Sequence, residues 1–168
     1  PGKRRFSEFD LPTDLLHALA DLNFKYCTPI QAQSLEPSLA GRDVTGQAQT
    51  GTGKTAVFLI TIINHCLKHP RPNPPPGTPR SLILAPTREL AIQIGRDADA
   101  LTYHTALRNL VVFGGLDYAR QRGHLEKNPV DILIATPGRL LDFMGQGKIR
   151  LNQVEILILD EADRMLDM

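Results

Sequence analysis

The chain has 168 residues, 42% of them apolar and 22% charged, which suits one soluble globular domain with a real core. A net charge of +1 excludes a binder driven by overall basicity, so any nucleic-acid site must be local. Two cysteines, Cys27 and Cys66, make neither a C-x-x-C pair nor a disulfide framework, and no apolar run approaches a membrane span or a leader. A reduced, intracellular, cytoplasmic chain is expected.

In chain order, PGKRRF reads as a solvated tail. Leu15, Leu16, Leu19 and Leu22 give a helical spacing over about 12–22, and a second short helix is expected over 31–39. DVTG (43–46) reads as a short strand leading into AQTGTGKT (48–55). TAVFLITIINHCL (55–67) is apolar nearly all round, the pattern of a helix packed between layers. HPRPNPPPGTPR (69–80) is too rich in proline for a helix or central strand and reads as an exposed loop; a polyproline docking motif is the alternative. Four short apolar runs follow at SLILA (81–85), NLVVF (109–113), DILIA (131–135) and EILIL (155–159), separated by helix-like segments. Unbroken runs of this length predict buried parallel strands, hence an α/β fold with helices on both sides of a mostly parallel sheet. Met168 follows directly on LDEADRMLD, in what reads as a starting helix, so a piece of a longer chain is expected.

AQTGTGKT nearly fits G-x-x-x-x-G-K-[ST], with Ala48 in place of the first glycine. Such a loop turns backbone N–H groups onto phosphate oxygens at a helix start. Gly51 and Gly53 permit the close approach, Lys54 supplies a point charge for the β/γ-phosphates, and Thr55 faces Mg²⁺. Gln49, Thr50 and Thr52 complete the predicted phosphate loop. Since Gly51 supplies flexibility, Ala48 narrows the family without excluding the chemistry. A P-loop ATPase also needs a carboxylate at a buried strand end. Asp160 meets that need after EILIL, holding Mg²⁺ through water, and Glu161 would orient or deprotonate the attacking water. The plainer alternative for both is an acidic helix start.

Ligands of open α/β sheets gather beyond the carboxyl ends of the strands. There the chain places Pro86-Thr87-Arg88, Gly114-Gly115 and Thr136-Pro137-Gly138-Arg139. Thr87 or Thr136 can cap a helix, free N–H groups can face an anion, and the two glycines let a phosphodiester lie against the backbone. Singly each is an ordinary cap or turn. As one rim they suit a sugar-phosphate chain read by shape, without base readout. With 5% aromatics and no Trp, a base-stacking platform is not expected. His17, His65, His69, His104 and His124 show no metal spacing.

Across essentially its whole length the chain resembles the first RecA-like domain of a DEAD-box RNA helicase. DEAD is literal at Asp160-Glu161-Ala162-Asp163, and AQTGTGKT resembles motif I, in which alanine at the first position is usual. PTREL resembles motif Ia, Gly114-Gly115 with Gln121 the GG motif, and TPGR motif Ib. NFKYCTPIQ (23–31) is similar to the Q motif, with Phe6 as its upstream aromatic. The resemblance implies that Gln31 bonds the adenine edge and Phe24 stacks on its face; an amide can donate and accept at once there. Asn23 and Cys27 depart from that motif's usual glycine and proline. TPIQ, the motif I surroundings and LDEADRM are closest to one bacterial subgroup of the family.

The resemblance further implies ATP and Mg²⁺ as cofactors, RNA as a sequence-nonspecific partner, and a second RecA-like domain missing from this chain. Asp163 would couple to motifs of that domain. RNA-decay or ribonucleoprotein partners are left open, and no membrane partner is expected. Arginines that complete the ATP site have no counterpart before Met168. An arginine finger contributes about 10³–10⁵ in rate in related NTPases, so the chain alone should hydrolyse ATP very poorly. Two rival readings stand beside the helicase: an ATP-gated RNA clamp, and another P-loop enzyme such as a kinase or DNA translocase.

Overall fold

A computed structural model describes residues 2–47, 53–115 and 117–168. They fall into two compact units: the chain up to Pro70 with Asp97–Ala106, and Arg71–Arg96 with Leu107–Met168.

In the first unit, a 3₁₀ turn (Phe6–Glu8) is followed by α1 (Thr13–Asp21), α2 (Pro29–Leu39) and α3 (Lys54–Lys68). Leu15, Ala18 and Leu19 form the buried stripe of α1; of the other expected positions, Leu16 is half-buried and Leu22, just past the helix, is exposed. α3 packs on α1 and α2 and buries nine residues between Ala56 and Cys66, so its nearly all-round apolarity is matched by burial. The segment before α1 is held along residues 25–27: Cys27 N donates to Arg4 O at 2.8 Å, and Arg5 bridges Tyr26 in antiparallel fashion. DVTG is not a strand. Residues 42–47 make no ladder and lie exposed, because a four-residue run with one large apolar side chain (Val44, 42% exposed) offers little to bury.

The second unit holds β1 (Ser81–Leu84), β2 (Asn109–Val112), β3 (Ile132–Ala135) and β4 (Ile156–Leu159), all parallel in the order β2-β3-β1-β4. They alternate with α4 (Arg88–Leu101, whose last turn belongs to the first unit), α5 (Tyr118–Lys127), α6 (Pro137–Gly145) and α7 (Ala162–Leu166). The register puts Leu82, Leu133 and Leu110 in one row and Leu84, Ala135 and Val112 in the next. Leu125 of α5 and Leu140 and Phe143 of α6 pack against that face. On the opposite face Gly95 of α4 meets the Val111 side chain so closely that a Cβ would collide with it.

β4 departs from the expected full burial. Its register places Leu157 and Leu159 on the face of Leu82 and Leu84, yet they are 54% and 52% exposed. An edge strand gains cover only where a helix reaches it, and the core made by α5 and α6 is centred on β1–β3.

The proline-rich loop is also only half as expected. Pro72, Asn73, Pro75 and Pro76 are exposed, whereas Gly77 through Arg80 are buried. Gly77, at φ +74, accepts from Arg150 N at 2.8 Å, and Thr78 Oγ1 donates to Pro75 O at 2.6 Å. Among the described residues no helix is long and apolar enough to cross a membrane.

Candidate functional site

α2 begins with a reciprocal cap. Gln31 N donates to Thr28 Oγ1 at 3.4 Å, and Thr28 N donates to Gln31 Oε1 at 2.8 Å. The same amide then reaches out of its helix, Nε2 donating to Gly53 O at 3.2 Å, with the residue only 4% exposed. One Nε2 proton and one Oε1 lone pair are not used by these bonds, the pair that an adenine edge would need. Sequence reasoning missed the tie to Gly53, because it joins positions 22 residues apart.

Gly53 sits at φ +87 as the N-cap of α3, and a Cβ there would run into Gln31 Nε2. Only glycine fits this approach of loop to amide. Lys54 and Thr55 open α3, half-buried, at the positive end of a 15-residue helix. The sequence-predicted positions Ala48, Gln49, Thr50, Gly51 and Thr52 lie outside the described residues.

Phe24 keeps 40% of its surface exposed while stacking on buried Phe6, with centroids 6.2 Å apart. The two departures in this segment have local explanations. Asn23 adopts φ +59, a left-handed conformation that glycine takes freely and asparagine tolerates better than most residues. Cys27 uses its N–H for the bond to Arg4, which proline could not make.

In the second unit the carboxyl ends of the four strands are tied side by side. Thr136 N donates to Val112 O at 3.1 Å, Ala85 N to Ala135 O at 3.0 Å, and Asp160 N to Leu84 O at 3.0 Å. The residues that follow each strand therefore share one edge. Asp160 is 5% exposed, its Oδ1 accepting from Glu161 N at 3.1 Å. Glu161 is the N-cap of α7 at φ +51, without a side-chain capping bond, its backbone O accepting from Arg164 N at 3.0 Å. Its carboxylate accepts from Arg164 at 3.1 Å. A left-handed glutamate costs on the order of 1 kcal/mol, and such strain clusters at functional positions. Asp163 is exposed.

Of the two candidate threonine caps, Thr87 Oγ1 accepts from Leu90 N at 3.2 Å, whereas Thr136 occupies the N-cap of α6 without a side-chain bond. Pro137 takes the first turn of α6, where its missing N–H costs nothing. Arg88 lies over the Phe113 ring at 5.6 Å, and a Cβ on Gly115 would meet its Nη1 at 3.3 Å. Arg139 donates to Gly115 O at 3.4 Å and to Gln121 Oε1 at 3.0 Å, and covers the Tyr118 ring at 4.9 Å. Arg88, Gly115 and Arg139 are thus brought together, with Pro86, Gly114 and Gly138 on the same edge.

Among the described residues no group of three or more His, Cys, Asp or Glu could hold a metal ion by itself. Mg²⁺ carried by nucleotide phosphates needs only one or two protein oxygens and keeps its waters. Thr55 and the buried Asp160 carboxylate are oxygens of the right kind.

The family profile "DEAD/DEAH box helicase" matches residues 28–168. The chain is 56% identical over 168 residues to a protein named ATP-dependent RNA helicase RhlB from Pseudomonas aeruginosa, covering 99% of this chain and 42% of that relative. It is 55% identical to the protein of that name from Pseudomonas putida, with the same two coverages. The relative so named from Actinobacillus succinogenes is 52% identical over 167 residues, with 99% and 40% covered. The chain therefore spans about two fifths of the length of these relatives, and the bacterial subgroup indicated by its motifs is the RhlB type. With a P-loop lysine at a helix start, a buried DEAD aspartate and a family match over five sixths of its length, the chain belongs to the DEAD/DEAH box helicases.

Proposed function

We propose that this chain is the nucleotide-binding half of an ATP-dependent RNA helicase, using ATP with Mg²⁺ and holding one RNA strand by its backbone. The observation that carries this reading is the buried Gln31, whose amide ties a helix cap to the last glycine of the P-loop. A Q motif wired in this way links recognition of the base to the shape of the phosphate loop.

Each residue's part follows from its chemistry. Phe24 offers an exposed ring face to the base, and Gln31 offers one donor and one acceptor to its edge. Residues 48–53 supply backbone N–H groups, Lys54 supplies charge to the β/γ-phosphates, and Thr55 supplies an oxygen to Mg²⁺. Asp160 holds the metal's water shell, and Glu161 orients the attacking water. Bound Mg²⁺ neutralises charge that develops on the phosphates. Thr87, Arg88, Gly114, Gly115, Thr136, Gly138 and Arg139 present N–H groups and two guanidinium groups to phosphodiesters, with Pro86 and Pro137 fixing the turns. Asp163, exposed, is available to a second RecA-like domain. ATP and RNA would favour a closed arrangement of two domains through higher affinity for that state, bending one strand and unpairing a short duplex. An RNA ligand would suit a cytoplasmic protein, with RNA-decay or ribonucleoprotein complexes as the partners to test.

The test is calorimetric titration of ADP and GDP into wild type and Gln31→Ala. Wild type should prefer ADP, and the variant should lose that preference. Equal binding of both nucleotides by wild type would refute the roles of Gln31 and Phe24.

A further inference from the structure

Gln121 is a buried amide, 6% exposed, on the first turn of α5, and no step proposed so far uses it. Its Oε1 accepts from Phe113 N at 3.2 Å and its Nε2 donates to Phe113 O at 3.3 Å. Phe113 follows directly on β2 and leads into Gly114-Gly115. β2 is an edge strand, so this paired amide gives the departing backbone the two hydrogen bonds that a further ladder partner would give.

The second lone pair of Oε1 accepts from Arg139 Nη1 at 3.0 Å. Arg139 has few other ways to move: it donates to Gly115 O at 3.4 Å and is stacked over Tyr118 at 4.9 Å and Phe143 at 5.7 Å. Tyr118 is itself fixed, stacked on Phe143 with centroids 5.2 Å apart and accepting at its hydroxyl from Gln146 Nε2 at 2.5 Å. On the other side of the turn, Arg88 leans on the Phe113 ring at 5.6 Å. One neutral side chain therefore spans the end of β2, the glycine turn and the arginine that follows β3. A neutral acceptor can hold a guanidinium in place without cancelling its charge, which a carboxylate could not do.

We propose that Gln121 is a positioning residue for RNA binding: its single amide fixes the Gly114-Gly115 turn and the Arg139 guanidinium as one rigid anion-facing unit. This rests on the reading of the strand-end rim as the RNA-backbone site. Gln121 itself does not touch RNA. It sets the distance between the glycine turn and Arg139, so that successive phosphates find both at once, and preorganisation of this kind lowers the ordering cost of binding.

The test is a double-mutant cycle on this chain with a short single-stranded RNA, followed by fluorescence anisotropy at several low salt concentrations. Arg139→Ala and Gln121→Leu should each weaken binding by about tenfold, the loss expected for a charge-assisted hydrogen bond. Each should lower the salt slope by about 0.7, the value of one phosphate contact to a single strand. The double variant should be no weaker than the worse single one, because both remove the same contact. ADP affinity should be unchanged in all three. If the losses multiply, or if Gln121→Leu lowers the melting temperature but leaves RNA affinity and slope alone, Gln121 is a packing residue and the proposal is overturned. If Arg88→Ala and Arg139→Ala both leave RNA affinity untouched while ADP still binds, the rim reading itself falls and takes the proposal with it. Should Gln121→Leu fail to fold, Gln121→Met, unbranched and of matching length, carries the same cycle and the same outcomes.

Discussion

Gly53 concentrates more constraint than any other described residue of the nucleotide site. At φ +87 an alanine would be strained by about 1 kcal/mol, and its Cβ would also displace the Gln31 amide. Gly53→Ala is therefore expected to weaken ADP by more than about tenfold. Calorimetry would show it. Cys27 makes a different kind of prediction. Burial raises its thiol pKa, an effect that the nearby Arg4 only partly offsets. The neutral thiol is thus favoured in the folded state. Its contribution to stability is present below the unfolded value of about 8.5 and is lost as pH rises through the folded one. At pH 8 a disulfide reagent should label Cys27 at least about tenfold more slowly than it labels an unfolded thiol. Labelling at the free-thiol rate would mean that the segment opens readily.

Among the elements, the sheet offers a sharp contrast between two leucines in register. Leu133, fully buried in β3, should cost about 2–5 kcal/mol as Leu133→Ala. Leu157 in β4, on the same face but 54% exposed, should cost under about 1 kcal/mol in this chain. Urea denaturation of both variants measures the difference, and equal losses would mean that β4 is covered in solution. α5 is tied at its far end by Glu126, which accepts from Lys148 at 2.6 Å and Arg122 at 3.0 Å. The Lys148 hydrogen bond first, then that of Arg122, holds its carboxyl below the ordinary glutamate value. The contribution of this group is present above the unfolded pKa of about 4.3 and fades as pH falls through the folded value. In Lys148→Met an NMR pH titration should find the Glu126 carboxyl titrating at higher pH than in wild type.

For the molecule as a whole, the near-neutral charge means that on the proposed reading affinity for RNA would come from the strand-end rim and not from a general field. Catalytically, the chain holds the P-loop lysine and the DEAD carboxylates but spans about 42% of its relatives' length. If the proposed function holds, ATP turnover by these 168 residues alone should lie at least about 10³ below that of a full-length relative, the contribution of an arginine finger in related NTPases. A coupled assay of both proteins with saturating RNA measures this, and turnover near the full-length rate would show that the chain is self-sufficient.

The order of elements was legible because each signal is local. SLILA, NLVVF, DILIA and EILIL became β1 to β4, and Leu15 and Leu19 became the buried face of α1, since side-chain period and run length depend only on neighbours along the chain. The family, the P-loop spelling and the candidate carboxylates were legible for the same reason. Burial was not. DVTG remained a loop, Leu157 and Leu159 stayed exposed, and Gly77 to Arg80 went inside, because cover is set by which elements arrive from elsewhere in the chain. The wiring of the site was likewise hidden. Gln31 finds Gly53 across 22 residues, and Gln121 meets both Phe113 and Arg139. Sequence alone determined which chemical groups the protein carries and where along the chain they stand. Only tertiary structure decided which of them are held rigid, because an amide's partners are chosen by distance and angle in space, and no local pattern encodes either.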